Sequence, residues 1–93
     1  MTERTIIRPS QRVAARIVDG CALILDPKTD QLQRLNPVGS YIWSLIAERK
    51  FCAHEIKQAI VAEFQVDDAV ASGDLEHFLT QLEEQGLIEY TSD

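Results

Sequence analysis

From Val13 the chain runs through short β-rich stretches separated by turn residues; from Asn36 its apolar spacing lengthens to a helical period. Val13 to Val18 is rich in β-branched residues, and Asp19-Gly20 follows it as a two-residue hairpin signal. Cys21 to Leu25 is apolar throughout, as in a strand flanked by neighbours. Asp26-Pro27-Lys28-Thr29-Asp30 supplies a second turn, because Pro fixes φ and Asp can bond its own backbone. Gln31 to Leu35 is short and polar, which suits an edge strand. The first third is therefore expected to be a three-stranded antiparallel meander.

Asn36-Pro37 opens the first helix, with Asn as N-cap and Pro at the first helical position. Its apolar stripe is Val38, Tyr41, Ile42, Leu45 and Ile46, with Trp43 at the margin. A second helix starts near Cys52, where Glu55 stands in the capping-box position; its stripe runs through Ala53, Ile56, Ala59, Ile60 and Phe64. A third carries Ala71, Leu75, Phe78, Leu79 and Leu82 and stops at Gly86, after which Leu87 to Tyr90 returns to the core. Ser72-Gly73 should weaken or restart this helix, at about 1 kcal/mol relative to alanine. The expected fold class is α+β: a three-stranded antiparallel sheet followed by three helices, in two layers. That order resembles a winged helix-turn-helix with the wing placed first. Residues 1–11 lack periodicity and are expected to form a flexible N-terminal arm, 12–90 one domain and 91–93 a tail.

Ninety-three residues that are 45% apolar and 26% charged fit one globular domain and exclude collagen-like or disordered classes. The longest apolar run, Cys21 to Leu25, is far short of a membrane helix, and Met1 to Arg4 does not read as a signal peptide. Two cysteines cannot make a multi-disulfide scaffold, so a reduced, cytoplasmic setting is expected. Charge is lopsided. Residues 1–47 hold six basic and four acidic side chains, whereas 48–93 hold three basic and eleven acidic. A winged-helix DNA-binding regulator is the alternative that the topology allows. Its reading helix, however, would present Asp74, Glu76, His77, Gln81, Glu83 and Glu84 and no Lys or Arg, which leaves phosphates unneutralised. No nucleic-acid partner and no membrane partner are expected.

Candidate chemistry is thin. Cys52-Ala53-His54, with Cys21 and His77, matches no zinc spacing. Neither cysteine has an activating motif around it, and adjacent acids such as Glu83-Glu84 read as solvated surface. No metal, cofactor or catalytic residue is assigned, and the chain is read as not an enzyme. What remains is the polar edge strand, whose unpaired backbone groups can accept an extended peptide as an added strand. The alternatives are an edge that is only solvated, or one covered by the third helix or by residues 1–11. Open strand edges also pair with each other, so a monomer or weak dimer is expected.

The run Leu25-Asp26-Pro27-Lys28-Thr29-Asp30, then Leu35-Asn36-Pro37-Val38-Gly39, Ile42-Trp43 and Leu45, resembles the PqqD-like family. Glu55-Ile56, Phe64-Gln65-Val66-Asp67, Asp74-Leu75, Phe78-Leu79, Leu82 and Gly86-Leu87-Ile88 extend the likeness over about residues 12 to 90. The family is the recognition element of pathways that modify ribosomally made peptides. The resemblance implies a non-catalytic peptide chaperone that captures the leader of a precursor peptide by β-strand addition and presents it to a modifying enzyme. It implies binding residues Gln31, Leu32, Gln33, Arg34 and Leu35 on the strand, and Leu75, Phe78, Leu79 and Leu82 on the third helix. Asn36 and Gly39 match the pattern and read as architectural. Chains serving pyrroloquinoline quinone biosynthesis usually lack the Leu35-to-Gly39 segment, which looks more like stand-alone elements of lasso-peptide clusters. There the implied partner is a cysteine-protease-type leader peptidase; in radical-SAM pathways it is the iron–sulfur enzyme.

Overall fold

A computed structural model of the chain describes residues 4–92. The elements are β1 (Thr5–Pro9), β2 (Ala14–Val18), β3 (Cys21–Leu25), β4 (Leu32–Arg34), α1 (Pro37–Ile46), α2 (Ala53–Phe64), α3 (Asp68–Glu84) and β5 (Ile88–Ser92). The meander is present as an antiparallel sheet in the order β2-β3-β4, and three helices follow it, which makes the fold α+β.

Local chemistry explains the turns. Asp19 and Gly20 both have positive φ, 53° and 77°, as a type I′ hairpin between β2 and β3 requires. In the next turn Asp26 Oδ1 accepts the Lys28 N–H at 2.9 Å. Asn36 caps α1 by accepting the Gly39 N–H at 2.7 Å, with Pro37 just inside the helix. Glu55 accepts the Cys52 N–H at 3.0 Å at the start of α2 and also meets Arg4. The Cys52 N–H, and then Arg4, hold the Glu55 carboxyl below the usual glutamate range. Gly86, at φ 73°, ends α3 in a Schellman motif: Leu87 N–H donates to Leu82 C=O and Gly86 N–H to Glu83 C=O.

Four expectations are corrected. The flexible arm placed over residues 1–11 is a strand from Thr5 to Pro9, paired antiparallel with β5 as a second, two-stranded sheet. Ile6 and Ile7 are both buried, Ile7 N–H donates to Phe51 C=O at 3.0 Å, and Ile6 bridges Cys52. Successive Ile6 and Ile7 are both buried, so the strand is covered on both faces there and shows no alternation. Its partner lies at the far end of the chain, which is why the strand is not visible as a pattern. Thr91 and Ser92, assigned to a tail, belong to β5, while residues 1–3 and 93 lie outside the described residues. The weak point at Ser72-Gly73 does not interrupt α3, because Ala71 and Leu75 on either side are both anchored in the core. Trp43, placed at the margin of α1, is among the most deeply buried side chains, since α1 is covered by β3, by α2 and by β1.

The core joins Ile7 of β1, Ala22 and Ile24 of β3, Ile42, Trp43 and Ile46 of α1, Ile56 and Ile60 of α2, and the α3 leucines. Replacing Ile7 with Ala should therefore lower unfolding free energy by about 2–5 kcal/mol in chemical denaturation. A change under about 0.5 kcal/mol, the usual size for an exposed position, would return the segment to the status of an arm.

Candidate functional site

β3 has strand neighbours on both sides, so β4 meets it with one edge and leaves the other unpaired. The register pairs Leu23 with Arg34, Ile24 with Gln33 and Leu25 with Leu32. It extends outward through Asp26 N–H to Gln31 C=O and Leu35 N–H to Ala22 C=O, both 2.9 Å. In an antiparallel ladder the residues bonded to the neighbour alternate with residues whose N–H and C=O point away. Gln31, Gln33 and Leu35 are spent on β3. Leu32 and Arg34 direct their backbone donors and acceptors to the open edge.

Side chains alternate in the same way. Gln33 shares the inner face with buried Ile24, and its Nε2 donates to Gln85 Oε1 at 2.8 Å, tying β4 to the end of α3. Leu32 and Arg34 project to the outer face, where Leu32 is 63% exposed. Gln31 is exposed and Leu35 half-buried.

Where β4 runs into α1, one hydroxyl holds three elements. Ser40 is buried; its Oγ accepts the Ala22 N–H at 2.8 Å and lies 3.2 Å from Leu35 C=O, to which it donates. Ala22 and Leu35 would ordinarily exchange two backbone hydrogen bonds. Here the second is relayed through Ser40, and the strand end can turn into the helix without leaving buried groups unpaired.

The helical wall departs from expectation. Leu75, Leu79 and Leu82 were assigned to the groove, yet they are 4%, 8% and 2% exposed and belong to the core. They lie on the stripe that α3 turns inward, and Leu75 and Leu79 border the seam with α2 rather than β4. Phe78, at the margin of that stripe, is half-buried and turns toward α1. It lines a cleft of about 350 Å³ with Val38, Ile42, Asp74, His77 and Gln81, beginning at Asn36, just past β4. Gly39 makes this approach possible: a Cβ there would stand 3.3 Å from the Phe78 ring and 3.1 Å from Asn36 Oδ1. Gln85 meets β4, and Asp74, Phe78 and Gln81 share its face of α3 and line the cleft, a surface mixed polar and aromatic. Sequence reading assigned no site role to Ser40, Gln85 or Gln81. Ser40 carried a signal, a hydroxyl aligned with Trp43 on a helix face that packs inward.

Cys21 sits on β3, Cys52 and His54 at the start of α2 and His77 on α3, and no group of three potential metal ligands occurs among the described residues.

The family model for coenzyme PQQ synthesis protein D, PqqD, matches residues 21–88. The chain belongs to the PqqD family. Among solved structures it is similar to TbiB1 in complex with the TbiA(beta) leader peptide, at 35% identity and TM-score 0.81, over 92% of this chain and 99% of that one. A lasso peptide synthetase B1 complexed with the leader peptide shares the fold at 19% identity and TM-score 0.77, over 89% and 96% of the two chains. No curated protein matches the chain. The PqqD match begins at β3, so β1 and β2 lie outside it, and it contains β4, α1 and α3, the three elements that build the site.

Ser40→Ala should strand the Ala22 N–H in a buried site and leave Leu35 C=O only the weak Cys21 Sγ–H donor. The expected loss is about 1–3 kcal/mol of stability, with faster amide exchange at Ala22. Exchange and stability both unchanged would mean the relay contributes nothing.

Proposed function

We propose that this PqqD protein is a non-catalytic carrier that binds the leader of a ribosomally made precursor peptide and holds it for a modifying enzyme. The observation that carries the reading is the vacant backbone edge at Leu32 and Arg34, set beside the aromatic cleft at Phe78. Its family membership and its likeness to TbiB1, whose solved complex holds a leader peptide, support it.

A peptide laid along β4 gains main-chain hydrogen bonds from Leu32 and Arg34, which give affinity without regard to sequence. Its alternate side chains meet two different surfaces. Those on the inner side face Phe78 and Gln81, a wall suited to apolar or neutral groups. Asp74 and the acidic exposed face of α3 disfavour acids on that side. Side chains on the outer side meet exposed Leu32 and Arg34, so an acidic residue is favoured there. Gln31, Gln33 and Leu35 set the strand's register against β3, and the buried Leu75, Leu79 and Leu82 act as the support behind Phe78.

The chain then works by position. A tethered core peptide is delivered to the enzyme at raised effective concentration, while the carrier itself lowers no chemical barrier. A leader peptidase, as in lasso-peptide pathways, is the enzyme class this reading favours, given the likeness to TbiB1. A DNA-binding role has no support: α3 exposes Asp74, Glu76, Glu83 and Glu84 and carries no Lys or Arg.

Calorimetric titration with the TbiA(beta) leader peptide, the ligand of the TbiB1 complex, tests the reading. Phe78→Ala should weaken binding by about tenfold or more, as loss of a buried aromatic contact does. Arg34→Ala should weaken it by about threefold, in keeping with an exposed ion pair. Wild-type affinity in both variants would place the peptide elsewhere.

A further inference from the structure

The β2-β3-β4 sheet is covered on one face only. Ala22 and Ile24 point inward and are fully buried against α1, while Leu23 and Leu25 point outward and stay half-exposed. Register places Arg16 of β2 and Arg34 of β4 on either side of Leu23, in one row across this outer face. Two strand spacings separate their backbones, about 10 Å. Leu25 and Leu32 extend the apolar surface toward one end of the sheet and Val18, 45% exposed, toward the other. Val18, Leu23 and Arg34 border a depression of about 480 Å³, which Asp19 of the β2–β3 turn also lines. Neither Arg16 nor Arg34 has an ion pair among the described residues. The chain as a whole carries −6, so this is a cationic, apolar face on an acidic molecule.

We propose that this outer face is a docking surface for the modifying enzyme, and that the enzyme meets it with an apolar patch flanked by carboxylates. The proposal rests on the carrier reading above and names where that enzyme sits. Charge selects the occupant. A second copy placed face to face would bring four arginines together against only the two Asp19 carboxylates, a contact of net like charge. A partner with acids spaced about 10 Å apart would pair both guanidiniums and cover the leucine between them. Location agrees as well. A peptide strand added to β4 widens the same sheet, so an enzyme seated here lies beside the captured chain. The docking surface and the peptide edge then share Arg34 but differ at β2, which allows them to be separated.

The test uses the full chain, the TbiA(beta) leader peptide and a purified lasso-peptide leader peptidase, with binding followed by interferometry. The double variant Arg16→Glu/Val18→Asp changes two exposed positions on β2, away from β4. It should weaken enzyme association by about tenfold or more while leader affinity stays within about twofold. Arg16→Gln, which keeps most of the stem, should weaken it by about threefold and serves if the double variant does not fold. Enzyme association within twofold of wild type in the folded variant overturns the proposal. So does a wild-type dimer in sedimentation that the variant converts to monomer, because a second copy would then own the face. Failure of the wild type to bind leader would remove the carrier reading, and the enzyme arm would still decide this surface.

Discussion

A strand with one neighbour has twice the backbone hydrogen-bonding capacity that its fold uses, and the rest of the site is arranged around keeping β4 in that condition. β3 takes one edge of β4 through Gln31, Gln33 and Leu35. Ser40 fixes the far end of the strand to α1, and Gln85 holds Gln33 from the end of α3. Fixing β4 at its middle and at its C-terminal end lowers the conformational entropy that a peptide would otherwise have to offset on binding. The edge is thus preorganised, with Leu32 and Arg34 aimed outward and Phe78 standing at its exit.

The N-terminal strand is the element that frees this edge. Residues 1–11 could in principle have zipped onto β4; Thr5–Pro9 instead pairs with β5, and its other side meets Phe51 and Cys52. The two sheets remain separate, and the chain's own terminal segment is spent elsewhere. Burial of Ile6 and Ile7 anchors that choice.

The meander, its turns and all three helices were legible because each rests on local chemistry: Asp19-Gly20, the Asp26 turn, the Asn36 cap and Gly86 act within a few residues of themselves. β1 was not, since its stability comes from a partner about 80 residues away and from burial on both faces. The site was legible in part. A short polar strand announces an edge, and family resemblance pointed to Gln31 through Leu35 and to the third helix. Helical periodicity alone does not say which side of an apolar stripe faces a groove, so Leu75, Leu79 and Leu82 were grouped with Phe78. Only packing against α1 at Gly39 separates them. Ser40 and Gln85 were hidden for a related reason: their partners lie on other elements, 18 and 52 residues away.

Charge completes the division of labour. On the proposed reading, peptide and enzyme meet adjoining surfaces that share Arg34: the β4 edge beside acidic α3 for the one, the cationic outer sheet for the other. The vacancy of the β4 edge is most directly tested by residue-resolved amide exchange with and without saturating leader peptide. The account predicts that Leu32 and Arg34 exchange freely in the free chain and gain protection on binding, while Gln33 and Leu35 are protected throughout. Protection of Leu32 and Arg34 before any peptide is added, or none after saturation, would contradict it.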